Sequence, residues 1–237
     1  MLAYPYLSGV VLIFLVFLFC FSCRSDLRKL MLWGGWYYFL MQAIVLLMTK
    51  LVSFLTHTNR DFNPIYWHPR LLFDLNIKAG GYGLEDGLFI FLVGALATLS
   101  YEFIFRKRIK YKYKHKHHLA AIGASLLLYI TLLFFITNPI YPLIASTFFG
   151  AFVIWFKRHD LIKHSMVGGF VFLTTYFAIF FIMNLIFPEF VKETWDLSIN
   201  SGVLISGIPL EELLWALSLG FFWSPIYEYE HGTKVAK

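Results

Sequence analysis

The chain has 237 residues, of which 59% are hydrophobic, 20% aromatic and only 14% charged. Soluble domains are about 45–50% apolar, so this composition excludes a separate soluble domain. The formal net charge of +6 does not indicate nucleic-acid binding, because the basic residues are concentrated in short loops between long charge-free runs.

The charge-free runs predict an all-α polytopic membrane protein, since about 20 apolar residues span the hydrocarbon as a helix. The run 119–156 is divided at Asn138-Pro139, because proline interrupts a helix. No basic residue precedes the first run, so no cleavable signal peptide is expected. Cys20 and Cys23 are interpreted as ordinary membrane cysteines rather than a redox pair. The seven predicted spans are 5–22, 31–52, 85–105, 119–137, 140–156, 165–187 and 203–225.

Basic residues predict the orientation of these spans. Fifteen of the 20 Lys and Arg residues follow spans 1, 3, 5 and 7. By the positive-inside rule that side is cytoplasmic, which puts the N-terminus outside and the C-terminus in the cytoplasm. The tract KYKYKHKHH at 110–118 is interpreted as a solvated basic linker that fixes topology, rather than as a metal site.

The sequence also contains an internal repeat. Residues 24–29 match 158–163 at an offset of 134, and 81–103 match 207–229 without a gap at an offset of 126. The chain is therefore predicted to hold two parallel three-helix repeats joined by a linker helix (3+1+3), with paired sites facing a central cleft. The expected units are 1–105 (first repeat), 106–139 (basic linker and connecting helix), 140–229 (second repeat) and 230–237 (cytoplasmic tail).

Shorter matches support the same alignment. Gly34-Gly35 and Gly168-Gly169 correspond, and these small residues are expected to let helices approach closely. Phe73-Asp74-Leu75 and Trp195-Asp196-Leu197 correspond loosely in the preceding loops. Glu102 and Glu228 also match, beside Tyr101 and Tyr227, and are predicted to be interfacial anchors at the cytoplasmic ends.

Two adjacent acids stand out in the last apolar run. Glu211 and Glu212 are the only charged residues between Leu197 and Tyr227. An ionisable group at membrane depth is costly and is interpreted first as functional. Pro209 suits the first turn of a helix, which then carries both acids. The first repeat has Glu85 and Asp86 at the matching positions.

Each repeat also places an aromatic residue four positions after its first acid, on the same helix face: Phe89 and Trp215. One carboxylic acid, one carboxylate and an aromatic wall form a set that can protonate an alkene and stabilise a carbocation. The structural alternative is that these acids cap helices or belong to an ion-pair network.

The segment PLEELLW at 209–215, the repeated three-span unit and the Arg-x-Asp-Leu loops resemble the membrane-integral lycopene cyclases. These occur as paired small subunits in Gram-positive bacteria, fused in one chain in archaea, and as a domain of a fungal bifunctional enzyme. The resemblance covers nearly the whole chain, which looks like the fused form. The first repeat departs from the pattern, with Gly83 in place of proline and Asp86 in place of the second glutamate.

The resemblance implies an isomerase of the intramolecular lyase class, which closes β or ε rings on lycopene end groups without net redox change. Glu211 and Glu212 would be the main acid–base pair, with Glu85 and Asp86 as their counterparts. The resemblance also implies that the cation-stabilising and substrate-binding residues are Trp215, Phe89 and Pro209. No metal and no cofactor is expected. If only one repeat is catalytic, the second repeat is expected to be the active one.

The implied partners are a lipophilic carotenoid, the lipid bilayer of a bacterial or archaeal cytoplasmic membrane, and other carotenoid enzymes or further copies of this chain. Two alternatives stay open. One is a small-solute transporter of the SWEET type, which shares the 3+1+3 plan but needs more polar groups at mid-membrane than Gln42 and Asn184 provide. The other is a non-catalytic partner of a carotenoid enzyme. A retinal photoreceptor is excluded, because no lysine lies between Lys192 and Lys234.

Overall fold

The computed structural model describes residues 4–72, 82–105, 109–112 and 119–235. Three features of the sequence prediction lie outside these residues: the loop segment Phe73-Asp74-Leu75, Gly81, and positions 113–118 of the basic tract.

Helices make up most of the described chain. Two short 3-10 turns, Ser25–Leu27 and His159–Leu161, lead directly into the second and seventh helices. The α-helices are α1 (Pro5–Cys23), α2 (Arg28–Thr56), α3 (Phe62–Ile65), α4 (Leu84–Phe105), α5 (Ala120–Leu133), α6 (Ile140–Lys157), α7 (Ile162–Ile186), α8 (Phe190–Thr194), α9 (Leu210–Trp223) and α10 (Ile226–His231).

Among the described residues, five helices are long and apolar enough to cross a membrane: α1, α2, α4, α6 and α7. They carry many large apolar side chains on their outer faces, such as Phe19 and Phe156 at 61% and 80% exposed. A water-soluble protein would bury such side chains, so the chain has the helices of an integral membrane protein. The predicted order of seven spans and the predicted orientation remain predictions.

The two remaining predicted spans are shorter than expected. Helices α5 and α9 have 14 residues each, which is about 21 Å against a hydrocarbon thickness of about 30 Å. In the run 203–225, the first residues form a hairpin of β2 (Leu204–Ile205) and β3 (Ile208–Pro209). Ser206 and Gly207 adopt positive φ angles of 53° and 78° at its turn. Apolar composition predicted a helix here, and the tight turn prevents one.

A second ribbon also departs from the all-α prediction. Strand β1 (Ile109–Lys112), in the predicted basic linker, pairs antiparallel with β4 (Thr233–Val235), in the predicted cytoplasmic tail. The two segments were predicted as separate pieces without regular structure. Strand pairing between distant segments leaves little signal in either one alone, because the backbone groups supply the bonds.

Glycines bring the helices of each half close together at matching positions. A Cβ added to Gly94 in α4 would lie 2.3 Å from the Cβ of Tyr38 in α2. A Cβ added to Gly220 in α9 would lie 2.7 Å from the Cα of Gly169 in α7. Both distances are too short for a side chain, so α2 packs on α4 in the same way as α7 packs on α9.

Two arginines make the same set of contacts one repeat apart. Arg24 holds the carboxylate of Asp26 through two bonds of 2.8 and 2.9 Å, and its Nη1 donates to the backbone oxygen of Glu102 at 2.9 Å. Arg158 holds the acid two residues later in the same way, and its Nη1 donates to the backbone oxygen of Glu228 at 3.3 Å. Arg24 thus joins the loop before α2 to the end of α4, and Arg158 joins the loop before α7 to α10, which follows α9.

The prediction that Glu102 and Glu228 are interfacial anchors is wrong. Their side chains are 1% and 0% exposed. The end of α4 and helix α10 lie against each other and against the start of α7, where Nε2 of His164 is 3.3 Å from a carboxylate oxygen of Glu102. Both carboxylates therefore point into the protein, because each half covers the other at this end.

We expect Gly94→Ala to lower the thermal unfolding midpoint of the detergent-solubilised protein. The added methyl overlaps Tyr38, and overpacking of this kind costs about 1–3 kcal/mol. Gly123→Ala is the matched control, since Gly123 is an exposed helical glycine with nothing within 4 Å of an added Cβ. It should leave the midpoint unchanged or raise it slightly. Equal midpoints for the two variants would contradict the close packing.

Candidate active site

The two predicted acidic pairs both lie in the first turn of a helix, as expected. Glu85 and Asp86 begin α4, and Glu211 and Glu212 begin α9. The positive end of each helix favours negative charge at these positions. All four side chains are buried, at 5%, 2%, 1% and 6% exposed respectively. Burial makes the hydrogen-bond donors around each carboxylate the decisive feature.

Glu212 is surrounded by side-chain donors. The hydroxyl of Tyr66 donates to its Oε1 at 2.6 Å, and the indole N–H of Trp195 donates to the same oxygen at 2.8 Å. The hydroxyl of Tyr176 in α7 donates to Oε2 at 2.7 Å. Three donors to one carboxylate stabilise its ionised form strongly. These donors favour the ionised form of Glu212, against the cost of burying a charge in an otherwise apolar environment.

Two of these donors come from segments outside the long helices. Trp67 and Trp195 form an isolated antiparallel bridge, and the N–H of His68 donates to the backbone oxygen of Thr194 at 2.9 Å. This pairing fixes the positions of Tyr66 and Trp195 above the start of α9. Burial and the neighbouring Glu212 carboxylate raise the pKa of Tyr66 well above its ordinary value. The phenol therefore stays protonated and donates a hydrogen bond to Glu212.

Glu211 points elsewhere. Its Oε1 accepts the backbone N–H of Ser201 at 2.6 Å and the hydroxyl of Tyr141 at 3.0 Å. Glu85 has the corresponding role in the first half, where its Oε1 accepts the backbone N–H of Leu72 at 2.7 Å. The first acid of each pair thus holds the loop before its helix, which is a structural role but neither the helix capping nor the ion pairing considered from the sequence.

The second acids of the two pairs meet at one cavity of about 340 Å³, which we call the shared cavity. Among the described residues that line it, only Asp86 and Glu212 are acidic. Asp86 accepts the backbone N–H of Gly83 at 2.7 Å and lies beside the phenol of Tyr6. The remaining wall is mainly apolar and aromatic, with residues from α1, α2, α4, α6 and α7. A predominantly apolar cavity with few polar groups is the usual form of a ligand site.

The predicted aromatic pair lies in the same wall. The rings of Phe89 and Trp215 are stacked, with centroids 6.3 Å apart and planes inclined by 21°. Tyr176 packs edge-on against Trp215 at 5.5 Å. The structure therefore gathers Asp86, Glu212 and both predicted aromatic residues at one cavity. Pro209, which ends β3 and immediately precedes α9, is not among the lining residues.

Sequence reasoning missed three residues of this site, Tyr66, Tyr176 and Trp195. Tyr176 belongs to a helix in which apolar packing explains an aromatic residue, and the other two lie in connections between helices. One signal was available: the loose match between the loops at 73–75 and 195–197 placed Trp195 at an equivalent position before the second acidic helix.

We expect Tyr66→Phe and Tyr176→Phe each to lower the stability of the solubilised protein by about 1–3 kcal/mol, because each removes a donor from a buried carboxylate. Tyr141→Phe is the control, since Glu211 keeps the backbone N–H of Ser201 and Tyr141 is only partly buried. Thermal or denaturant unfolding measures the differences. A loss of stability in Tyr141→Phe as large as in the other two variants would contradict the view that the donors to Glu212 contribute more than the Tyr141 contact with Glu211.

Comparisons with curated proteins and with solved structures gave no significant match. A sequence model of the family described as lycopene cyclase, in contrast, matches residues 4–104 and 138–230. These two parts make up most of the chain, follow its internal repeat, and include both acidic pairs and both aromatic residues of the shared cavity. The chain therefore belongs to the lycopene cyclase family.

Proposed function

We propose that this protein is a carotenoid cyclase that converts linear, lycopene-type end groups into six-membered rings by acid–base carbocation chemistry. The reaction is an isomerisation of the intramolecular lyase class. Family membership supports carotenoid cyclisation in general. The observation that carries the finer proposal is the shared cavity, where one buried carboxylate from each half faces an aromatic, otherwise apolar wall.

The proposed acid is Asp86. One of its oxygens accepts a backbone N–H, which leaves the other oxygen to carry a proton. Glu212 differs because three donors hold it as a carboxylate. Environments that separate two carboxyl groups in this way are the usual basis for assigning acid and base. Glu212 then stabilises positive charge and accepts the departing proton.

The reaction proceeds in three steps that balance without a cofactor. A proton from Asp86 adds to the terminal double bond of the end group, and a tertiary cation forms. The π electrons of the neighbouring double bond attack this cation, which closes the ring and moves the positive charge into it. Glu212 takes a proton from a carbon next to the cation, which restores a double bond, and a proton returns to Asp86 before the next turnover. The choice of the proton that Glu212 takes decides between a β and an ε ring.

The aromatic wall has a role in the middle step. The stacked faces of Phe89 and Trp215 border the cavity, and aromatic faces attract cations, by about 2 kcal/mol or more when water is excluded. Together with the Glu212 anion they favour the cyclised cation over the neutral polyene. Glu85 and Glu211 are proposed to position the loops before their helices, rather than to exchange protons.

The proposed setting is the cytoplasmic membrane of a bacterium or archaeon, where a carotenoid dissolves among the lipids. The substrate is a hydrocarbon, and the shared cavity is bordered by the lipid-compatible helices α1 and α2. Contacts with other carotenoid enzymes or with a second copy of the chain belong to the same proposal and are not needed for the chemistry.

The test uses a bacterium that accumulates lycopene. We expect the wild-type chain alone to produce cyclic carotenoids, and Asp86→Asn and Glu212→Gln each to reduce their formation by at least about 10²-fold. Glu85→Gln and Glu211→Gln should lose less, and Glu189→Gln, at an exposed position, should match the wild type. Chromatography of extracted pigments, normalised to protein in the membrane fraction, gives the result.

Two outcomes would contradict different parts of the proposal. Unchanged lycopene with abundant wild-type protein argues against cyclisation and for a non-catalytic partner. Retained cyclisation in both Asp86→Asn and Glu212→Gln, with loss in Glu85→Gln or Glu211→Gln, would place the chemistry at the other acid of each pair.

The size of the cavity leads to a separate prediction. At about 340 Å³ it lies at the lower end of the range of about 300–1,000 Å³ for ligand sites, so it accommodates one end group at a time. In a time course with isolated membranes, we expect a carotenoid cyclised at one end to form before any product cyclised at both ends. Formation of the doubly cyclised product without the singly cyclised one at early times would contradict a single cavity.

A further inference from the structure

A second group of titratable side chains lies at the opposite end of the molecule from the shared cavity. Glu102 near the end of α4, His164 near the start of α7 and Glu228 in α10 each direct one potential metal-binding atom to a common point. These three atoms lie within 4.8 Å of one another. We refer to them as the Glu102–His164–Glu228 cluster.

The cluster is independent of the proposed cyclisation site. Asp86 and Glu102 are both in α4 and are separated by sixteen residues. At a rise of about 1.5 Å per residue, this places the cluster about 24 Å from the cavity along the helix. The cyclisation chemistry does not use it, so its burial needs another explanation.

All three side chains are buried, at 1%, 3% and 0% exposed for Glu102, His164 and Glu228 respectively. Neither carboxylate oxygen of Glu228 has a hydrogen-bond partner of ordinary geometry among the described residues. Burying a carboxylate without a donor or a counter-ion is expensive. Glu212, in contrast, has three donors, so the Glu102–His164–Glu228 cluster is a candidate site for a bound cation.

The nearby arginines bind aspartates and backbone oxygens. Arg24 and Arg158 each hold an aspartate in a two-bond pair, and Nη1 of each donates to the backbone oxygen of Glu102 or Glu228. Each Arg–Asp pair is neutral as a unit. With both carboxyls ionised, the cluster carries a charge of −2 when His164 is neutral and −1 when it is protonated, and a divalent cation would compensate this charge.

We propose that Glu102, His164 and Glu228 bind a divalent transition-metal ion of the Zn²⁺ type, which joins the two halves of the chain at this end. One imidazole nitrogen and two carboxylate oxygens suit Zn²⁺ better than Mg²⁺ or Ca²⁺, which prefer oxygen ligands alone. Ligands about 2.0–2.2 Å from a tetrahedral zinc ion are about 3.3–3.6 Å apart. Glu102 and His164 are already 3.3 Å apart, and all three ligand atoms lie within 4.8 Å of one another.

Two further features suit such a site. The ring of Tyr101 is stacked on the imidazole of His164, with centroids 4.2 Å apart, which fixes the orientation of the ring as neighbours of metal ligands commonly do. The ligands also come from both halves, since Glu102 belongs to the first and His164 and Glu228 to the second. A metal ion would therefore act as a cross-link between them, and its removal should loosen the interface rather than the individual helices.

The test starts from the full chain purified in detergent without chelators. We expect elemental analysis to find about one zinc ion per chain, and added Zn²⁺ to raise the thermal midpoint of protein treated with a chelator. Glu228→Gln and His164→Asn should lose most of the zinc and most of this thermal response. Glu230→Gln is the matched control, because it removes a carboxylate two residues from Glu228 on the same helix. This variant should keep both the bound zinc and the rise in thermal midpoint on adding Zn²⁺.

Wild-type protein alone also decides the question if the variants do not fold. Replacement with Co²⁺ should give visible absorption of a nitrogen- and oxygen-ligated ion, and Zn²⁺ should displace it. Absence of stoichiometric zinc together with an unchanged thermal midpoint on adding Zn²⁺ would overturn the proposal, and would favour a proton shared by Glu102 and Glu228. Equal zinc in Glu228→Gln, His164→Asn and Glu230→Gln would overturn it too.

Discussion

The structure depends on one electrostatic constraint: a carboxylate buried among apolar helices must be met by hydrogen-bond donors. Glu212 accepts hydrogen bonds from three donors, and two of them, Tyr66 and Trp195, lie in connections between the long helices. The bridge between Trp67 and Trp195 lies over the start of α9 for this reason. The need to solvate one charge thus fixes the loops, and the loops in turn close one end of the shared cavity.

The two repeats place acidic residues at equivalent positions, but the hydrogen-bond donors around these acids differ. Asp86 and Glu212 match in the sequence and face the same cavity, yet Asp86 has one backbone donor and a nearby phenol, while Glu212 has two phenols and an indole. The change from glutamate to aspartate in the first half shortens the side chain by one methylene. If the shared cavity is the site of cyclisation, as proposed, the departure of the first repeat from the family pattern is a difference within one site and not the loss of a second site.

Much of the fold could be predicted from the sequence, because long apolar runs are a strong signal for helices in a membrane. Asp86, Glu212, Phe89 and Trp215 could be selected for the same reason, since acids and aligned aromatic residues are conspicuous in such runs. The hairpin at Leu204–Pro209 could not, because its residues are as apolar as the helix they precede. The burial of Glu102 and Glu228 was also missed, since it depends on the other half of the chain and not on local pattern.

The composition of the shared cavity has a consequence for how the two halves can vary. Tyr66, from the first half, holds the Glu212 of the second, and Phe89 stacks on Trp215 across the same boundary. A substitution in one half therefore changes contacts with residues of the other half, so the two halves are not interchangeable. A chain made of two first halves would lack Glu212 together with Tyr176 and Trp195, and one made of two second halves would lack Asp86 and Tyr66. The two halves therefore depend on each other for the contacts that form the shared cavity.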